Sequence, residues 1–122
     1  MKDILAKTIN EAEKLGAEYA EARAETLFKT MLTLKEGRVE AAKQGTEEGI
    51  ALRVLVSGAW GFASVGSTNA EILKDSVSEA CKMAKAASLR LKNPLKLAKT
   101  SVVDDRVRIK PRKNPSEVCM ED

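Results

Sequence analysis

Carboxylates and two thiols are the side chains of this sequence best suited to chemistry, because its 122 residues include no histidine. Two carboxylates can share acid and base roles only where burial separates their pKa values. The acids on neighbouring predicted strands alternate with alanine and other small residues, a pattern typical of a solvated sheet face. These acids are Glu21, Glu25, Glu36 and Glu40. We therefore predict that none of them is catalytic.

The absence of histidine removes further kinds of site. Neither a Ser-His nor a Cys-His nucleophile pair can form, and the chain has no ligands for a histidine-held zinc ion. Cys81 and Cys119 lie 38 residues apart and do not form a metal-binding cluster. We expect both to be free thiols, with Cys81 a small buried or boundary residue and Cys119 exposed and inert. We predict no metal site and no cofactor site in this chain.

Trp60 and Phe62 are two of only four aromatic residues. They stand two residues apart on a predicted strand, so their rings point to the same face of the sheet. One interpretation is that they contact a partner or a peptide. The other, which the pattern favours, is an aromatic anchor of the sheet beneath a long helix.

Positive charge is concentrated late in the chain. Residues 82–113 carry a net charge of +9, whereas residues 1–81 carry −3. Such a stretch could contact phosphates of a nucleic acid, but it lacks the aromatic residues on which bases stack. Alternation with Val107 and Ile109 instead predicts a half-buried edge strand protected by charge. The cations of this basic segment, residues 106–113, are Arg106, Arg108, Lys110, Arg112 and Lys113.

Composition sets broad limits on the class of protein. The length suits one domain, and 43% hydrophobic with 32% charged residues is ordinary for a globular protein. No apolar run approaches the roughly 20 residues of a membrane helix. The amino terminus lacks the apolar segment of a signal peptide, so we expect a cytoplasmic protein with no membrane partner.

Hydrophobic periodicity predicts a helix over residues 4–15, capped by Asp3 and stopped by Gly16. Strands follow from residue 18 to residue 34 and over residues 38–43, joined by a turn at Glu36-Gly37. Residues 44–49 are predicted as a loop. The most apolar strand, residues 50–56, turns at Ser57-Gly58 into a strand over residues 59–64.

A second helix begins at a predicted capping box with Thr68 as N-cap and ends at Asn93-Pro94. Its apolar stripe is Leu73, Val77, Ala80, Ala84, Ala87 and Leu91. The fold class is therefore α+β, with an antiparallel twisted sheet of about four to five strands and two helices packed on one face. We assign residues 1–110 to this domain and residues 111–122 to a linker or to the start of a further element.

Four stretches resemble one known family when they are taken in order. They are GAEYAEAR at residues 16–23, EGRVE at 36–40, GIALRVL at 49–55 and GAWGFAS at 58–64. With the alanine- and lysine-rich helix near residues 70–92, they are similar to the N-terminal domain of the TldD/PmbA proteins, also called modulator of DNA gyrase proteins. The resemblance covers about residues 1–110 and is carried by the order and separation of the stretches.

The resemblance implies a cytoplasmic zinc metallopeptidase family that cuts unfolded or small peptides, often as paired subunits. It implies a zinc site built from an HExxxH motif and a distant cysteine in a C-terminal half that this sequence lacks. No catalytic or zinc-binding residue is therefore carried over to this chain. The incomplete helix start at Asn114-Pro115 leads us to expect a fragment or a truncated product.

The favoured function is a non-catalytic domain that positions substrate or docks a subunit, inactive alone, in a zinc metallopeptidase. Its expected partners are the missing C-terminal domain or a family subunit, with a second copy of the chain and a peptide substrate as further candidates. The alternatives are a small basic nucleic-acid-binding module, which the residues disfavour, and a free-standing adaptor of a full-length family member.

Overall fold

A computed structural model describes residues 1–119 and shows an α+β protein. Its three strands form one antiparallel sheet in the order β1-β2-β3. The predicted class is confirmed, but the described residues form three strands rather than four to five. The elements are α1 (Lys2–Lys14), β1 (Tyr19–Lys35), β2 (Arg38–Val56), β3 (Ala59–Val65), α2 (Ala70–Ser88) and a 3₁₀ turn (Pro115–Glu117).

The strand count is lower for two reasons. The predicted loop at residues 44–49 does not form, because this stretch continues as β2 and joins the two predicted strands into one. The basic segment forms no strand either. Val107 and Ile109 are 81% and 85% exposed, so the alternation that predicted a half-buried edge strand buries neither side chain.

The chain divides into two compact units. The first unit comprises Met1–Leu27 and Glu47–Leu97, and the second comprises Phe28–Thr46 and the chain from Ala98 onward. The first unit contains the buried core. We call Phe28–Thr46 of the second unit the hairpin arm. It comprises the last part of β1, the first part of β2 and the turn between them.

Both helices of the first unit pack on the same face of its sheet, as the sequence predicts. Alternation in β2 points Leu52, Val54 and Val56 toward this face, where Ala12 of α1 joins them. Three residues of the α2 stripe, Val77, Ala80 and Ala84, complete the cluster together with Cys81. Small residues dominate the helical side of this core, so α2 can approach the sheet closely.

The closest approach is at Gly61 of β3. A Cβ atom at this position would overlap the carbonyl oxygen of Ala80 and lie 3.2 Å from the methyl group of Ala84, both on α2. Only glycine fits between the strand and the helix backbone here. Gly61 therefore fixes which face of β3 carries the helix.

Both predicted hairpin turns are present. The backbone φ angles are +50° and +74° at Glu36-Gly37 and +50° and +75° at Ser57-Gly58. Two consecutive positive φ angles match the turn type whose twist suits a two-residue hairpin. In the second hairpin Val56 pairs with Ala59, Leu55 with Trp60 and Arg53 with Phe62.

The helix ends differ from the prediction in their capping residues. Asn69, not Thr68, caps α2, because its Oδ1 accepts hydrogen bonds from the backbone N–H groups of Glu71 and Ile72 at 2.9 and 3.2 Å. Asp3 lies inside the first turn of α1 rather than at the N-cap. Gly16 stops α1 as predicted, with a φ of +95°.

The second helix also ends earlier than predicted, at Ser88. Leu91 lies beyond the helix and is 40% exposed. Pro94 instead packs on the Ser57-Gly58 turn, and the N–H of Leu95 donates to the carbonyl of Gly58 at 2.9 Å. The contact of Pro94 and Leu95 with the Ser57-Gly58 turn thus ends the helix before Pro94 is reached.

The predicted linker over residues 111–122 contains one 3₁₀ turn where the sequence predicts a helix start. Asn114 caps this turn by accepting a hydrogen bond from the N–H of Ser116 at 3.1 Å. Residues 120–122 of that predicted linker lie outside the described residues. Over residues 1–119, neither helix combines the length and the apolar composition that crossing a bilayer requires.

Candidate functional site

Trp60 and Phe62 lie on the sheet face that α1 and α2 do not cover. Because Gly61 faces Ala80 of α2, strand alternation turns its two neighbours to the opposite side. The prediction of an aromatic anchor beneath the long helix is therefore wrong. Phe62 is 55% exposed, whereas Trp60 is half-buried among polar and aromatic neighbours on the outer face.

An ion pair joins neighbouring strands beside these rings. Nη2 of Arg53 on β2 donates to Oε2 of Glu21 on β1 at 2.8 Å. The hydroxyl of Tyr19 donates to the same oxygen at 2.9 Å. One carboxylate oxygen thus holds both a guanidinium and a phenol, and Glu21 orients both side chains.

The aromatic rings continue this arrangement across the sheet. Cζ of Arg53 lies 4.5 Å from the centroid of the Trp60 ring, which is a cation–π distance. Tyr19 meets Trp60 edge to face with centroids 6.1 Å apart, and Phe62 lies 6.5 Å from Trp60. We call Tyr19, Glu21, Arg53, Trp60 and Phe62 the outer-face cluster.

The polar contacts shift two pKa values in this cluster. The hydrogen bond from Arg53 lowers the pKa of Glu21, so this carboxylate is ionised at neutral pH. The hydrogen bond that Tyr19 donates to Glu21 raises the pKa of the phenol above 10.0. At neutral pH the cluster is an ion pair and a neutral phenol beside the half-buried Trp60 and the exposed Phe62, an arrangement suited to binding.

A cavity of about 400 Å³ opens at the other end of the outer face. Glu25, Glu47 and Glu48 line it together with Arg23, so its charged lining carries an excess of carboxylates. Ser64, two residues after Phe62 on β3, also lines it. We call this cavity the acidic pocket.

The remaining sequence candidates are not brought together. Glu36 and Glu40 lie near the tip of the hairpin arm and belong to the second unit, whereas Glu21 and Glu25 belong to the first. In residues 1–119 no group of three or more metal-ligating side chains is placed to hold a metal ion. The cations of the basic segment stand on exposed chain without helix or strand.

The two cysteines are free thiols, as predicted. Cys81 is 2% exposed in the core, and burial raises the pKa of its thiol. Cys119 is exposed. A buried thiol with a raised pKa is a poor nucleophile, so Cys81 has a packing role.

Sequence reasoning missed Tyr19 and Arg53 and placed Glu21 only on a solvated face. Arg53 gave a usable signal, because it is the one charged residue in the apolar run of residues 50–56. A cation in the centre of a central strand needs a partner on a neighbouring strand. The identity of that partner depended on the pairing of β1 with β2.

A family model described as PmbA/TldA metallopeptidase domain 1 matches residues 20–87, more than half of the chain. The chain belongs to the PmbA/TldD family. The match includes four of the five residues of the outer-face cluster and all of β2, β3 and most of α2. The resemblance stated from the four sequence stretches is confirmed.

Individual proteins agree with this assignment. A metalloprotease of Methanocaldococcus jannaschii is 28% identical over 105 residues, which are 86% of this chain and 23% of that protein. A zinc metalloprotease TldD homolog of Saccharolobus solfataricus is 31% identical over 72 residues, covering 59% of this chain and 16% of that protein. The chain therefore spans less than a quarter of the length of these PmbA/TldD relatives.

Solved structures share the fold. TldE from Thermococcus kodakarensis superimposes with a TM-score of 0.69 over 89% of this chain and 24% of that one, at 20% identity. A protein of Bacteroides thetaiotaomicron described as a modulator of DNA gyrase gives a TM-score of 0.61 over 84% of this chain and 24% of that one. At 20% identity this likeness shows a shared fold and no more.

Proposed function

We propose that this chain is a non-catalytic domain of a PmbA/TldD zinc metallopeptidase acting on unfolded or small peptides. Its role is to dock the catalytic part or a family subunit and to position substrate. The supporting observation is that the chain matches domain 1 of a metallopeptidase family while its 122 residues contain no histidine. The zinc ion and its ligands then belong to another part of the enzyme.

The hairpin arm is the docking surface in this proposal. Apolar side chains are exposed along it, with Phe28 at 76%, Met31 at 54%, Leu34 at 58% and Val39 at 59%. A two-stranded ribbon is at best marginally stable alone in water, and such grouped apolar exposure marks interaction sites. Association with another surface would remove these side chains from water and stabilise the arm.

The first experiment tests the non-catalytic role. The purified chain is incubated with zinc and an unfolded casein, and peptide release is followed by mass spectrometry. We expect no hydrolysis above a zinc-only control, since the chain lacks imidazole ligands. Zinc-dependent hydrolysis that a chelator abolishes would refute the non-catalytic role.

The second experiment tests docking. Binding of the chain to a full-length PmbA/TldD subunit is measured by calorimetry for the natural sequence, Phe28→Ser and Val102→Ser. We expect Phe28→Ser to weaken binding about tenfold, a typical effect for an apolar anchor. Val102→Ser is the matched control, because Val102 is 98% exposed and lies outside the arm. Equal affinities for all three chains would exclude the hairpin arm as the docking surface.

A further inference from the structure

A groove of about 370 Å³ lies between the two helices of the first unit, α1 and α2. Each helix lines it with four residues at the spacing i, i+3, i+4 and i+7, from Ile4 to Glu11 on α1 and from Ala70 to Val77 on α2. This spacing places the four residues on one face of each helix. We call it the interhelix groove. Its volume is at the lower end of the range for small-molecule sites.

The floor of the interhelix groove is apolar. Leu73 and Val77 of α2 are buried there, and Ile4 of α1 is half-buried opposite them. Thr8 is also buried, but its hydroxyl donates to the carbonyl oxygen of Ile4 at 2.8 Å. The hydroxyl is therefore satisfied within α1 and asks for no partner from the groove. An occupant of this floor needs an apolar portion.

The charged groups of the interhelix groove favour an anion. They are Lys7, Lys74 and Glu11, so the lining carries a net charge of +1. Oε1 of Glu11 lies 4.0 Å from Nζ of Lys74, and its Oε2 lies 3.4 Å from Nζ of Lys14, so two cations share this carboxylate. Within residues 1–119, no carboxylate lies within ion-pair distance of Lys7. Lys7 is the group that an anionic occupant would complement.

We propose that the interhelix groove binds a medium-chain carboxylate, an unbranched acyl chain of about eight to ten carbons that ends in one ionised carboxyl group. The acyl chain contacts Ile4, Leu73 and Val77, and the carboxylate pairs with Nζ of Lys7. A neutral apolar compound leaves Lys7 unpaired, and an ammonium group is repelled by it, so charge complementarity selects the anion. The groove lies across the sheet from the outer-face cluster, and this inference does not depend on the proposed function.

The first test is a calorimetric titration of the whole chain with hexanoate, octanoate and decanoate. We expect saturable binding whose affinity rises about threefold with each added methylene group, as more apolar surface leaves water. Octylammonium, which has the chain of an eight-carbon ligand and the opposite charge, is expected to bind about tenfold more weakly than octanoate. Absence of saturable decanoate binding, affinity independent of chain length, or equal binding of octylammonium would overturn the proposal.

Two lysine variants test recognition of the carboxylate. Lys7→Met is expected to weaken octanoate binding about fivefold, the upper range for an exposed ion pair, and to leave binding of neutral octanol unchanged. Lys82→Met is the matched control, because Lys82 is exposed on α2 and does not line the groove. An equal loss in both variants, or an equal loss for octanol and octanoate in Lys7→Met, would contradict the proposed site.

Two alanine variants test the location of the site. Ala70→Leu fills the mouth of the groove and is expected to abolish decanoate binding. Ala6→Leu is the matched control, because Ala6 is exposed on α1 outside the groove. Far-ultraviolet circular dichroism checks that both variants retain the fold. Decanoate binding by Ala70→Leu with the affinity of the natural sequence would refute the location.

A protein segment is the alternative occupant of the interhelix groove. It would be indicated if Ala70→Leu weakened binding to a full-length PmbA/TldD subunit while the natural chain bound no decanoate, and this result would overturn the carboxylate site. Loss of the carboxylate site alone leaves the docking measurement on the hairpin arm unaffected, so the two proposals fail separately.

Discussion

The two hairpins that share β2 begin with the same kind of turn and differ in what covers their strands. At Ser57-Gly58 the chain enters β3, where α2 lies against Gly61 and the apolar side chains of one face are buried. The Glu36-Gly37 turn lies within the hairpin arm, where large apolar side chains remain exposed. Both turns have two positive φ angles, so local turn geometry does not distinguish them.

This difference in coverage indicates which hairpin contributes to the stability of the fold and which is available for binding. The β2–β3 hairpin is stabilised by helix packing on one face and presents the outer-face cluster on the other. The hairpin arm has the sequence of a good strand pair but buries little of its apolar surface. Substitutions in the first hairpin should therefore change folding, and matched substitutions in the arm should change association.

The largest effect is expected at Gly61. Gly61→Ala places a Cβ against the carbonyl oxygen of Ala80, and the backbone cannot yield as a side chain would. We expect a loss of about 3 kcal/mol in the free energy of unfolding, measured by urea denaturation. Gly45→Ala in β2 is the matched control, because nothing lies within 4 Å of its Cβ position. A similar loss for both glycines would contradict the close helix–strand approach.

A valine pair on β2 tests the same contrast at intermediate magnitude. Val54 is 1% exposed in the core, whereas Val39 is 59% exposed on the hairpin arm. Val54→Ala is expected to lower the free energy of unfolding by about 2 kcal/mol, since it leaves a cavity. Val39→Ala is expected to change it by less than about 0.5 kcal/mol. Thermal and urea unfolding of both variants measure the difference, and equal effects would remove the distinction between the hairpins.

The smallest effect is expected from the ion pair of the outer-face cluster. The folded pKa of Glu21 lies below its ordinary value of 4.5, so the pair contributes stability above that pH and loses it as pH falls through the folded pKa. Its side chains are 40% exposed, so solvent screening limits this contribution to less than about 1 kcal/mol. Glu21→Gln is expected to flatten this acid limb of the stability profile.

Tyr19, the only tyrosine, reports on its contact with Glu21 through its own titration at alkaline pH. Its raised pKa depends first on the hydrogen bond to Glu21, so Glu21→Gln should move it back toward 10.0. Phenolate absorbance during an alkaline titration measures this pKa, with Glu25→Gln as the control. An unchanged Tyr19 pKa in the Glu21 variant would show that the carboxylate does not hold the phenol.

Periodicity and turn chemistry were sufficient to predict much of the fold. The α2 stripe from Leu73 to Ala84 is buried as predicted, and Gly16, Glu36-Gly37 and Ser57-Gly58 stop or turn the chain where expected. Residues 44–49 misled the prediction because turn-forming residues there extend a strand once a partner supplies the hydrogen bonds. The alternation at residues 106–110 gave a wrong prediction of a strand, because an alternating segment forms a strand only where another strand is available to pair with it.

The order of residue types thus settled the class of fold, the turns, the lack of imidazole chemistry and the family. These depend on local backbone preferences, side-chain chemistry and linear pattern, all of which are present in the chain before it folds. The side of the sheet on which Trp60 and Phe62 lie, and the meeting of Arg53 with Glu21 and Tyr19, required three-dimensional packing. A strand has two faces with equal local preference, and only the fit of α2 against Gly61 chose between them.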